Sequence, residues 1–173
     1  MLSGGHPNSL GRTLEVVDAV LADRSRLDDL YRCYFSDDEV VRLRVSSAMK
    51  RVATEHPDWT MGFVDGLQSD VAAIDQASTQ WTLALLFDLM ADLLSPQQRS
   101  RAVEIMQENL AEHSDWIVLN NSMKVLGRWA DADNGLAEWL LPHARRLARD
   151  ERKSVATNAR KLLEHLGASS RHS

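Results

Sequence analysis

Residues 118–126 read VLNNSMKVL, and residues 155–163 read VATNARKLL. Aligned, they match Val118 with Val155, Asn121 with Asn158, Ser122 with Ala159, Lys124 with Lys161 and Leu126 with Leu163, at a constant step of 37 residues. Carried backwards, the same step reaches Leu85 and Leu89, then Ala48 and Val52. A period of that length marks stacked helical hairpins, because each unit is too small to bury its own apolar face and must lean on the next.

The rest of the chain agrees with that reading. Apolar residues recur at helical spacing, and no stretch alternates strictly enough for a strand. The spacing predicts helices near 13–22, 25–35, 37–55, 58–73, 75–94, 96–112, 115–130, 134–149 and 151–166, that is, one leading helix and four hairpins. Ser36 with Glu39, and Ser95 with Pro96 and Gln98, read as capping boxes. Ser25 with Asp28, Asp75, Ser114 and Asp133 are further candidate caps. Residues 1–12, rich in Gly, Ser, Pro and Asn, read as a flexible lead and 168–173 as a flexible tail around one domain over 13–167.

Within 150–163, the residues Asp150, Val155, Ala159 and Leu163 resemble the second helix of a HEAT repeat. The stretch Asp37-Asp38-Glu39-Val40-Val41-Arg42, followed by Ala48 and Val52, is similar, and the resemblance covers roughly residues 25–166. Departures are Ala156, where the family pattern has arginine after the valine, and Arg101 and Glu104 in the first helix of the third repeat. The resemblance implies an all-α, right-handed α-solenoid of about four HEAT-like hairpins plus one leading helix. Its second helices would line a concave inner surface.

On that surface the register brings out one stripe. At 100° per residue, Leu43, Ser47, Lys50 and Thr54 lie opposite the apolar face formed by Val45, Ala48 and Val52. The equivalent sites are Gln80, Ala84, Phe87 and Ala91, then Ile117, Asn121, Lys124 and Arg128, then Ser154, Asn158, Lys161 and His165. The partner-binding candidates are therefore Ser47, Lys50, Phe87, Asn121, Lys124, Arg128, Asn158 and Lys161. Lys and Asn reach carboxylates, carbonyls or phosphates, and Phe87 would supply an apolar anchor. A helix also places Lys, Asn and Ser opposite its core without any partner. Here the stripe, as read, contains no acid in a chain with 25 acidic residues.

The formal net charge is −5 and the sequence pI near 5.6, so no overall positive field draws the chain onto nucleic acid or anionic lipid. Charge is nonetheless segregated. Val52 to Gln98 contains no Lys or Arg, whereas Arg145, Arg146, Arg149, Arg152, Lys153, Arg160 and Lys161 make the last hairpin basic. Cys33 is the only cysteine, which excludes an intrachain disulfide and suits a reducing, cytoplasmic setting. The opening residues hold no apolar run of signal-peptide length. The longest apolar cluster, Leu83 to Met90, is interrupted by Asp88, so it predicts a buried helix rather than a membrane span.

No phosphate-cradling glycine loop, nucleophile elbow, CxxC or HExxH is present. His56, His113 and His165 each follow a Glu near a predicted helix end, where an imidazolium complements the dipole, so neither metal nor cofactor is expected. Gly62 and Gly66 would admit a close neighbouring helix. Trp81 and Trp129 fall on core positions, and Trp59 and Trp116 at helix starts. The function expected is a non-catalytic adaptor, scaffold or regulator, a monomer binding a protein or peptide. The alternative is a nucleic-acid-binding or DNA-repair protein, resembling the HEAT-like glycosylases that excise alkylated bases. Against it, the stripe lacks a catalytic carboxylate, and Asp88 and Asp92 flank its neutral second repeat. Trp81 and Asp88 are the only candidates for that chemistry.

Overall fold

A computed structural model describes residues 11–169 and makes them all-helical, with no strand among them. The expected loose ends at 1–10 and 170–173 lie outside the described residues. Helix α1 is Thr13–Ala22 and the short α2 is Leu27–Arg32, flanked by 3₁₀ turns. Next come α3 (Glu39–Glu55), α4 (Pro57–Thr60), α5 (Val64–Gly66), α6 (Ala77–Leu89) and α7 (Pro96–Glu112). The chain ends with α8 (Trp116–Trp129), α9 (Asn134–Leu147) and α10 (Lys153–Ser169). None of these helices is long and apolar enough to cross a membrane.

One expected helix is broken. Instead of a continuous element over 58–73, the chain forms α4, a 3₁₀ turn at Met61–Phe63, α5 and a π turn at Leu67–Val71. Gly62 and Gly66 weaken helix propagation here. Only Gly66 has a close neighbour: a Cβ there would run into the Tyr31 hydroxyl, whereas Gly62 faces open space.

The caps show where local chemistry decides a helix start. Ser95 and Gln98 form the expected capping box, the Gln98 N–H donating to Ser95 Oγ at 3.2 Å and the Ser95 N–H to Gln98 Oε1 at 3.1 Å. Asp133 caps α9 through the Leu136 N–H at 3.0 Å. Elsewhere the acceptor shifts. Asp38, not Ser36, caps α3 through the Val40 N–H, and Asp115, not Ser114, accepts from both Ile117 and Val118. Asp23 precedes the predicted Ser25 cap and accepts its N–H, and Gln76, the residue before α6, makes no side-chain cap bond. In each corrected case the acceptor is a carboxylate within two residues of the predicted cap, or no side-chain cap is used.

The residues divide into two compact units, the first ending at Ala102 and the second beginning at Val103. In the first, α3 packs against α1 and α6. In the second, α10 packs against both α8 and α9. Leu136, Leu140, Ala144 and Leu147 form the buried stripe of α9, and Val155, Ala156, Ala159, Leu162 and Leu166 that of α10. Each Leu so covered contributes about 1.5–3 kcal/mol.

Burial in α6 departs from the 37-residue step expected from the sequence. Ala48, Ser122 and Ala159 are fully buried, but their partner in α6 is Leu86 rather than Leu85. Likewise Val52 and Leu126 correspond to Met90 rather than Leu89. The buried positions of α6 are thus displaced by one residue from the 37-residue step, and Phe87 lies in the core, where it is 0% exposed. Phe87 is therefore no surface anchor; its equivalents are Met49 and Met123, both buried. Gln80 and Ala84 are buried too, because α6 is covered nearly all round. Buried Gln80 stays satisfied by donating to the Ala72 and Ile74 carbonyls, both at 2.8 Å. In the corrected register half-buried Asp88 replaces Lys50 and exposed Asp92 replaces Thr54, so the stripe does contain acid.

Of the tryptophans, Trp129 is buried as expected, whereas Trp81 is only half-buried and Trp116 is 49% exposed. Trp59 stacks on His56 at 4.0 Å, with Arg24 over the ring at 5.6 Å. His113 Nδ1 accepts the Asp115 N–H at 2.9 Å.

Arginines tie successive turns within each unit. Arg42 donates to Gln76 Oε1 and to the Ser36 carbonyl, both at 2.6 Å. Arg152 clamps Asp150 at 2.7–2.9 Å and donates to the Ser114 carbonyl, while Arg146 reaches the Leu110 carbonyl at 2.8 Å. The bonded Arg152 guanidinium holds the Asp150 carboxyl down at about 2. A depressed carboxyl stabilises the fold above its unfolded value, near 4, and ceases to do so as pH falls through about 2. Because the Arg152 side chain is 40% exposed, screening keeps the contribution on the order of 1 kcal/mol. Asp150→Asn should therefore lower stability at neutral pH, and the difference from wild type should shrink between about pH 4 and pH 2. Thermal melts across that range check it; a gap that stays constant would contradict the assignment.

Candidate functional site

The second unit carries a cleft of about 260 Å³, lined by two helices in matching register. Helix α8 contributes Met123, Lys124, Gly127 and Arg128, and α10 contributes Asn158, Lys161, Leu162 and His165. Each set is spaced three and four residues apart, the spacing that puts side chains on one face. The floor is apolar: Met123, Gly127 and Leu162 are buried. The rim is polar, with Lys124, Arg128, Asn158, Lys161 and His165 all exposed.

Gly127 explains how the floor closes. A Cβ there would come within 2.7 Å of Leu162 Cδ1, so a larger residue would make the tip of this leucine shift. At the rim, His165 Nε2 lies 2.6 Å from Asp131 Oδ1, in the 3₁₀ turn Ala130–Ala132 that follows α8. Lys124 and Lys161 have no hydrogen-bond or ion-pair partner among the described residues.

Four of the eight residues singled out from the sequence thus converge: Lys124, Arg128, Asn158 and Lys161. Asn121 stands near the start of α8, half-buried and outside the lining, while Ser47 and Lys50 belong to α3 of the first unit and are half-buried. Phe87, also in the first unit, lies in its core. The floor residues escape sequence reasoning because they sit beside the stripe rather than on it. The lone glycine inside the strongly periodic 116–129 segment is the one signal that points to them.

Compared with family models, curated proteins and solved structures, the chain matches none. What the cleft does is therefore judged by its own chemistry. His165 and Asp131 form a dyad, but no Ser, Thr or Cys lines the cleft to serve as its nucleophile. Among the described residues no group of three or more His, Cys, Asp or Glu side chains is placed to hold a metal ion. Cys33 donates its thiol to the Asp29 carbonyl at 3.2 Å. The cleft also falls below the roughly 300–1,000 Å³ usual for small-molecule sites.

Proposed function

We propose that this protein is a non-catalytic, HEAT-like helical-repeat module of the cytoplasm that binds a peptide or protein partner, with the α8–α10 cleft as its contact surface. The observation that carries the reading is the convergence of Lys124, Asn158 and Lys161, from two helices, around one apolar floor. An apolar centre ringed by polar groups is the anatomy of protein-binding sites. The repeat reading is supported by core positions recurring from α3 through α6 and α8 to α10. The turn-to-turn bonds of Arg42 and Arg152 also support it.

The nucleic-acid alternative loses ground because Arg146, Arg152 and Arg160 of the basic hairpin donate to main-chain carbonyls of their own unit. Affinity capture with wild type and a Lys124→Glu/Lys161→Glu variant of equal helicity tests the proposal. Proteins retained by wild type should be lost by the variant. Equal recovery would contradict it, and retention abolished by nuclease would favour the alternative.

A further inference from the structure

We infer that the cleft recognises an acidic peptide segment, seating one apolar side chain on Met123, Gly127 and Leu162 and setting carboxylates against Lys124 and Lys161. This rests on the reading of the cleft as an interaction surface and names the chemistry of its ligand.

Charge complementarity is the first argument. The lining carries Lys124, Arg128, Lys161 and His165 and no acid, and the nearby Asp131 is bonded to His165. Lys124 and Lys161 are exposed, without a partner among the described residues, and occupy equivalent positions on the two helices. Two ammonium groups so placed favour a ligand with negative charge on both sides of its buried portion. The floor supplies the second argument. The surface the cleft exposes is mainly apolar, so a ligand with an apolar group gains contact there that a free phosphate or sugar does not.

The third argument separates peptide from nucleic acid. No Phe, Tyr or Trp lines the cleft, and its one ring, His165, is bonded to Asp131, whereas single-stranded nucleic acids are held by bases stacking on aromatic side chains. Asn158 instead offers an amide that both donates and accepts, the pairing a peptide group asks for. The exposed lysines would chiefly set the association rate and salt sensitivity, while the apolar contact sets the lifetime.

Fluorescence anisotropy tests this with a short labelled peptide in which one Leu is flanked by Asp and Glu. Comparison probes carry Asn and Gln for the acids, or Ser for the Leu, and a single-stranded DNA oligonucleotide provides the rival ligand. The acidic Leu peptide should bind most tightly, lose affinity as salt rises, and bind Lys124→Glu/Lys161→Glu at least about tenfold more weakly. The milder Lys124→Gln/Lys161→Gln variant should fall between. Equal binding of the amide and acidic probes, equal binding by the charge-reversed variant, or tighter binding of the DNA would overturn the inference. If no acidic preference emerges while partner capture remains sensitive to the variant, the ligand chemistry is wrong and the interaction surface stands. Capture that ignores the variant removes both.

Discussion

Phe87→Ala is expected to lower the stability of the fold by about 3–5 kcal/mol, the usual effect of removing a buried aromatic ring. The ring is 0% exposed on α6, whose neighbours Leu83, Leu86 and Met90 are themselves buried, so the surroundings cannot collapse cheaply into the space left behind. Had Phe87 pointed outward as an anchor for a partner, its removal would change stability by no more than about 0.5 kcal/mol and act on binding instead. Denaturant unfolding distinguishes these outcomes. A loss of that size is a large fraction of the 5–15 kcal/mol typical of a whole domain, so the variant should be partly unfolded at modest temperature.

Met90→Ala and Leu89→Ala should differ sharply, although the two residues are adjacent. Met90 is fully buried and its truncation should cost about 2–5 kcal/mol. Leu89 is only half-buried, and its truncation should cost about half as much or less. A strict 37-residue period would reverse the order, because it assigns Leu89 to the core position of Val52 and Leu126. Paired melts of the two variants therefore read directly which of the two residues occupies the core position. A larger loss for Leu89→Ala would restore the constant step.

The contrast shows which parts of the fold the sequence discloses. Elements whose apolar residues occupy one stripe, such as α9 and α10, reveal both their existence and their facing. In α6 the pattern fails because Thr79, Thr82, Leu83, Ala84, Leu86 and Phe87 are all buried, leaving no polar side to orient it. Period alone then set the register there, one residue away from the packed one. Cap positions were readable where a reciprocal box exists, as at Ser95 and Gln98, and ambiguous where Ser and Asp compete within two residues, as at Ser36 and Asp38.

The candidate site divides the same way. Its charged rim follows from the face opposite each core stripe, which is why Lys124, Arg128, Asn158 and Lys161 could be named together. Its floor depends on how closely α10 approaches α8 at Gly127, a distance no periodicity encodes. The break at 58–73 has a related origin: whether Gly62 or Gly66 matters depends on Tyr31 arriving from α2.

Amide chemical-shift mapping of the isotope-labelled full chain, titrated with the acidic Leu peptide, puts the binding surface to the most direct test. The account predicts saturable shifts concentrated on Met123, Lys124, Gly127, Asn158, Lys161 and Leu162. Shifts confined to residues 11–102, or spread evenly over the chain without saturation, would contradict it.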